Sequence, residues 1–115
     1  MHKILLTGSS GFIGSNILSN FLENNQIYII VRKKPSNKLL KNKNIKVIKF
    51  KNYNSLHSKI KRIKVDTVIH CATHYIRNHK FSDINKLCNS NIFLGNIILE
   101  NLENMKVRKF INFST

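Results

Sequence analysis

Leu6-Thr7-Gly8-Ser9-Ser10-Gly11-Phe12-Ile13-Gly14 is a glycine-rich turn set between an apolar run, Ile4 to Leu6, and a helix-like run that begins near Ile13. Its three glycines are spaced for three tasks. Gly8 lets the chain leave a strand sharply, Gly11 lets a pyrophosphate approach bare backbone, and Gly14 lets the following helix pack closely on a sheet. A phosphate in such a turn meets free N–H groups at a helix N-terminus, where the helix dipole favours negative charge. Thr7, Gly8, Ser9, Ser10, Gly11, Phe12, Ile13 and Gly14 are therefore candidate binding residues for a dinucleotide cofactor. Any tight strand-to-helix turn enriches glycine, so the flanking sequence has to supply the rest of the unit.

The flanks do so. Before the turn lies a strand; after it comes a helix with Ile13, Ile17, Leu18, Phe21 and Leu22 on one face, then a second apolar run, Ile27 to Val31. Together they make a βαβ unit of the length the motif requires. Further along, the pattern predicts strand 45–50, helix 54–63, strand 66–71, helix 82–104 and strand 109–114, with a loop or short helix at 35–43. Strands that alternate with helices imply parallel pairing and right-handed crossovers. The expected fold is α/β, a Rossmann-like doubly wound parallel sheet of about five strands in the order 3-2-1-4-5, forming one domain over residues 1–115. The continuous apolar runs at Ile27 to Val31 and Val68 to Ile69 suit interior strands, whereas Ile45, Val47 and Phe50 alternating with Lys46 and Lys49 suit an edge.

The spacing Thr-Gly-x-x-Gly-x-x-Gly resembles that of the extended short-chain dehydrogenase/reductase superfamily, and in particular its NAD-dependent epimerase/dehydratase family, which acts on nucleotide sugars. Three more segments carry the likeness. Asp66-Thr67-Val68-Ile69-His70-Cys71-Ala72 is similar to the family's fourth strand, Asn91-Ile92 with Ile98-Leu99-Glu100 to the helix that follows, and Lys109-Phe110-Ile111-Asn112-Phe113-Ser114-Thr115 to the fifth strand. The resemblance implies that Cys71, Ala72, Thr73 and Asn91 also bind the cofactor, and that Thr115 stands where the family places its catalytic Ser or Thr. It further implies a nucleotide-sugar substrate, and for the apolar face of helix 82–104 either packing on the sheet or a homodimer contact. Family members are much longer, so the chain is expected to be an N-terminal portion, sheet truncated after strand five and substrate-binding part absent.

The end of the second strand bears on cofactor choice, because a carboxylate there accepts hydrogen bonds from a ribose 2′-OH and repels a 2′-phosphate. This chain reads Ile29-Ile30-Val31-Arg32-Lys33-Lys34, with no acid. Arg32 offers a planar fork for the 2′-phosphate and a face for the adenine, so NADP is favoured over NAD. The family's Asp after the third strand is likewise missing, since Phe50-Lys51-Asn52-Tyr53 stands there. So is its Tyr-x-x-x-Lys proton-transfer pair: four residues after Tyr28, Tyr53 and Tyr75 come Arg32, His57 and His79. The finer likeness of Ala72-Thr73-His74-Tyr75-Ile76-Arg77-Asn78 and Phe110-Ile111-Asn112 is to NADPH-dependent 4-ketoreductases of deoxysugar synthesis.

Lys and Arg number 20 against 5 Asp and Glu, a formal charge of +15, and no acid occurs between Glu23 and Asp66. Abundant Lys, Asn and Ile together are what AT-rich coding yields at permissive surface positions. The expected consequence is salt-sensitive attraction of polyanions without sequence preference, and no specific nucleic-acid partner. The competing class, a non-catalytic dinucleotide-binding regulator or a basic nucleic-acid-associated module, differs from the enzyme reading in needing no Tyr-x-x-x-Lys. Cys71 and Cys88 fall in different expected elements, which suggests neither a disulfide framework nor a zinc site. With no signal-like segment or membrane-length apolar run, the expected compartment is cytoplasmic.

Overall fold

The structure, a computed structural model, describes residues 1–113. Five parallel strands, β1 (His2–Thr7), β2 (Asn25–Val31), β3 (Ile45–Lys49), β4 (Thr67–His70) and β5 (Lys109–Asn112), form one sheet in the order β3-β2-β1-β4-β5. That is the expected order. Side chains alternate along each strand, so each interior strand feeds two cores. Ile4, Leu6, Ile27, Ile29, Ile45 and Ile69 pack with Leu18 of α1 (Phe12–Phe21) and against Leu39 of α2 (Asn37–Lys41). On the opposite face Leu5, Ile30, Ile48 and Val68 meet Leu56 and Ile60 of α3 (Tyr53–Ile60) together with Leu94 and Ile98 of α5 (Leu94–Glu100). Burying apolar groups on both faces is what the continuous apolar runs in β2 and β4 require.

Helix α1 ends at Phe21, short of the 13–24 that the sequence pattern predicts, and its apolar face is narrower. Leu18 is buried and Ile17 and Leu22 pack against the core, but Ile13 and Phe21 are exposed. The helix stops at Phe21, whose carbonyl accepts a hydrogen bond from Asn25 Nδ2 at 2.8 Å. A side chain that satisfies a terminal carbonyl in this way closes a helix locally.

The expected single helix over 82–104 is corrected. A 3₁₀ turn at Phe81–Asp83 leads into α4 (Ile84–Cys88), then into a π turn at Asn89–Phe93, then into α5, and the chain finishes in turns over 101–106. The π turn inserts one residue and rotates the apolar stripe. Ile84, Ile92 and Phe93 consequently face outward, while Leu94, Ile98 and Met105 are buried. Lys106 ends the segment at φ 57, a left-handed value that lets Val107 N–H bond the Leu102 carbonyl at 3.0 Å. At the far edge of the sheet, Ile111 and Phe113 remain substantially exposed. Among the described residues no helix is long and apolar enough to cross a membrane.

Candidate functional site

A cleft of about 840 Å³ opens at the carboxyl ends of the strands. Thr7, Gly8, Ser9, Ser10, Gly11, Phe12, Ile13, Gly14, Arg32, Cys71, Ala72 and Thr73, all expected binding residues, line it. This is where open α/β sheets hold ligands, because successive crossovers diverge there.

The three glycines answer to different constraints. Gly8 has φ +72, and a Cβ on it would lie 2.8 Å from Ala72 N. On Gly14 a Cβ would lie 1.9 Å from the Gly8 carbonyl oxygen, so the helix could not come so close to the turn. Both are demanded by the chain itself. Gly11 is not: its φ of −77 and ψ of 173 are open to any residue, and a Cβ there would meet only the Gly8 carbonyl oxygen, at an ordinary 3.5 Å. The space in front of Gly11 is open. Gly11 caps α1 without a side-chain hydrogen bond, which leaves first-turn N–H groups directed at that space.

Thr7 ties this turn to the neighbouring strand. Parallel register sets it opposite His70. Its Oγ1 lies 2.7 Å from His70 Nδ1 and accepts from Cys71 N and Ala72 N, each at 3.1 Å. With both lone pairs engaged, the hydroxyl proton is donated to His70 Nδ1, which fixes an imidazole that is neutral and protonated on Nε2. Burial pushes the His70 pKa down from its ordinary value, in agreement with the neutral form. The ring packs near Gly95, where an added Cβ would sit 3.4 Å from Nε2. His70 is thus a strut between β1, β4 and α5. Burial also pushes the Cys71 thiol up, so it stays protonated and unreactive.

At the other end of the cleft, Arg32 follows β2 directly. Its guanidinium lies 4.9 Å from the centroid of Phe50 and 5.2 Å from that of Tyr53, within cation–π range. Nη2 donates to the Tyr53 hydroxyl at 2.6 Å, and that hydroxyl donates to the Asn89 carbonyl oxygen at 3.1 Å. Tyr53 opens α3 inside the capping box of Asn52 and Ser55, in which Asn52 Oδ1 accepts from Ser55 N at 2.9 Å. Lys33 and Lys34 also line the cleft, and no Asp or Glu does among the described residues.

Asn91 is placed beside the cleft, with its amide engaged by the protein. Oδ1 accepts from His74 N at 2.7 Å and Nδ2 donates to the His74 carbonyl at 2.9 Å, which pins the loop after β4 to the π turn. Thr115 lies outside the described residues. Cys71 and Cys88 are free thiols, and among the described residues no group of three His, Cys, Asp or Glu side chains is placed to hold a metal ion. Sequence reading missed Tyr53 and the π-turn carbonyl of Asn89. A usable signal for Tyr53 existed, since Asn52-x-x-Ser55 is a capping pattern that sets the intervening tyrosine on the first turn of a helix.

A dinucleotide fits this donor set. Clear space at Gly11, first-turn N–H groups and three cations around a carboxylate-free end are complementary to phosphates. A relative 31% identical across the whole chain is a dTDP-D-glucose 4,6-dehydratase from Dictyostelium discoideum, of which this chain spans 29%. Among solved structures, a variant UDP-glucuronic acid 4-epimerase from Bacillus cereus, in complex with UDP-4-deoxy-4-fluoro-glucuronic acid and NAD, is 28% identical with a TM-score of 0.80. The alignment covers 98% of this chain and 40% of the epimerase. A short-chain dehydrogenase family protein from Francisella tularensis shares the fold with a TM-score of 0.82 at 19% identity, over 100% of this chain and 51% of its own. Residues 4–115 match the family model of the NAD dependent epimerase/dehydratase family, and this chain belongs to that family.

Proposed function

We propose that this chain is the dinucleotide-binding portion of a nucleotide-sugar oxidoreductase, of the NADPH-dependent 4-ketoreductase kind, and that it prefers NADP over NAD. The observation that carries the preference is the cleft beyond β2: Arg32, Lys33 and Lys34 line it with no carboxylate among the described lining residues. A 2′-phosphate is attracted there, and no acid rewards a bare 2′-OH. The Bacillus cereus epimerase was solved with NAD; the preference proposed here rests on this chain's own residues. Within the family reading, the turn at Gly8 to Gly14 receives the pyrophosphate, and Arg32 offers its free face and remaining N–H groups to the adenosine 2′-phosphate. Bound NADP supplies hydride exchange at its nicotinamide. Thr73, expected to touch the cofactor, and His74 line the cleft beyond β4, on the side where a nucleotide sugar would approach the cofactor. The sequence has no Tyr-x-x-x-Lys pair, so the function proposed for these residues is to bind and orient the cofactor.

Calorimetric titration of the chain with NADPH and NADH tests the reading. NADPH binds more tightly, and Arg32→Ala removes about 1–3 kcal/mol from NADPH binding, the range of a charge-assisted hydrogen bond, with NADH little changed. A preference for NADH, or an Arg32→Ala variant with an unaltered ratio, overturns it.

A further inference from the structure

We propose that Tyr53 is the positioning residue that holds the Arg32 guanidinium in a phosphate-ready orientation, and thereby sets discrimination between dinucleotides with and without a 2′-phosphate. The proposal rests on the NADP reading above and deepens it.

Arg32 is exposed, and an exposed arginine ordinarily samples many rotamers, whose loss weakens any contact it makes. Here two constraints act on it from one side. The guanidinium carbon lies over the rings of Phe50 and Tyr53, 4.9 and 5.2 Å from their centroids, and the Tyr53 hydroxyl accepts one N–H at 2.6 Å. The support is itself rigid. Phe50 is buried, and the Tyr53 ring lies between Phe50, 5.9 Å away, and Phe93, 4.8 Å away. The Tyr53 hydroxyl proton is committed to the Asn89 carbonyl oxygen, which also accepts the Leu94 N–H that closes the π turn. A guanidinium can only donate, and the Tyr53 hydroxyl, its proton directed at Asn89, keeps its lone pairs turned toward Arg32. Of the five guanidinium donors one is used among the described residues, and the rest can turn to a phosphate dianion. Prior ordering of this kind raises affinity by lowering the entropy lost on binding.

Dissociation constants for NADPH and NADH, measured by calorimetry on the full chain, distinguish the possibilities. Tyr53→Phe keeps the ring and removes only the hydroxyl. The expected result is NADPH affinity weakened about three- to tenfold, the worth of one hydrogen bond, with NADH within about twofold, and with Arg32→Ala/Tyr53→Phe no weaker than Arg32→Ala alone. NADH affinity serves as the control for a merely structural effect, because a damaged cleft loses both ligands equally. Arg32→Lys, which leaves Tyr53 untouched and keeps the charge, is expected to lose NADPH discrimination too, since an ammonium neither stacks nor forks. NADPH affinity that is unchanged or tighter in Tyr53→Phe, or equal losses for both ligands, overturns the proposal while leaving the NADP reading intact. An NADPH to NADH ratio insensitive to Arg32→Ala, or a chain that binds neither dinucleotide, overturns both.

Discussion

The turn at Gly8 to Gly14 and the corner around Arg32 line one cleft, yet they are built from different kinds of contact. In the turn, a single missing Cβ decides each close approach, that of Gly14 to the Gly8 carbonyl within seven residues and that of Gly8 to the backbone of Ala72 on the adjacent strand's end. In the corner, Arg32 reaches Tyr53 across 21 residues of sequence, and Tyr53 reaches Asn89 across a further 36. Local covalent geometry fixes the first; tertiary packing of three separate segments fixes the second. Backbone-determined sites withstand loss of a neighbour but not a change of residue at the tight positions. Packed corners behave in the opposite way, since each partner orients the next.

The largest effect is expected where the turn meets its own helix. Gly14→Ala drives a methyl to 1.9 Å from the Gly8 carbonyl oxygen, which neither backbone can yield without separating α1 from the sheet. Overpacking of this severity costs about 3 kcal/mol or more, a large part of the stability of a small domain. Urea unfolding followed by circular dichroism would read it. A variant as stable as the parent means that the approach of α1 to the turn is looser than described.

Gly11→Ala sharpens the comparison inside the turn itself. Neither its dihedrals nor its neighbours forbid a methyl, so stability should change by less than about 1 kcal/mol. The methyl instead enters the open space that the proposed binding mode gives to the pyrophosphate, and dinucleotide affinity should fall about tenfold or more, from overlap of the 1–3 kcal/mol kind. Melting curves and calorimetry on the same preparation separate the two readouts. Normal affinity in a normally folded Gly11→Ala protein removes the phosphate cradle.

The same contrast explains which features were legible before any coordinates. Strand order and the turn were readable because their signals are short-range: apolar runs at Ile27 to Val31 and Val68 to Ile69, and glycines at fixed intervals. The π turn at Asn89–Phe93 was not, because one inserted residue leaves the apolar positions Ile84, Leu87, Ile92, Leu94 and Ile98 compatible with an unbroken helix. Only the observed exposure of Ile84 and Ile92 against the burial of Leu94 and Ile98 reveals the shift. Arg32 was found from its place after β2, but the partner that orients it comes from another helix, and no spacing rule connects positions 32, 53 and 89. His70 enters the sequence reading only as part of the fourth-strand segment, and its use as a strut depends on the register that sets it opposite Thr7.

That strut gives the smallest of these expected effects, and one that ties the two kinds of construction together, because a side chain buried by tertiary packing here supports the backbone of the turn. The folded-state pKa of His70 lies below its ordinary value of 6.5 because burial disfavours the imidazolium. A base with a depressed folded pKa contributes stability that is present above the unfolded value and lost as pH falls through it, since the unfolded chain takes up the proton first. Protonation at Nδ1 would also leave the Thr7 hydroxyl facing a donor in place of an acceptor, while Cys71 N and Ala72 N still occupy its lone pairs. Asp66, whose pKa is held down by the Lys3 backbone N–H, protects the fold only against more acidic conditions, so the range below about pH 6.5 is where the contribution of His70 is lost. Urea midpoints should therefore fall steadily across that range in the parent protein. His70→Asn keeps an amide oxygen that the Thr7 hydroxyl can reach but cannot titrate, and its midpoints should fall less steeply. Equal slopes in the two proteins would mean that His70 takes no part in holding β1, β4 and the glycine-rich turn together.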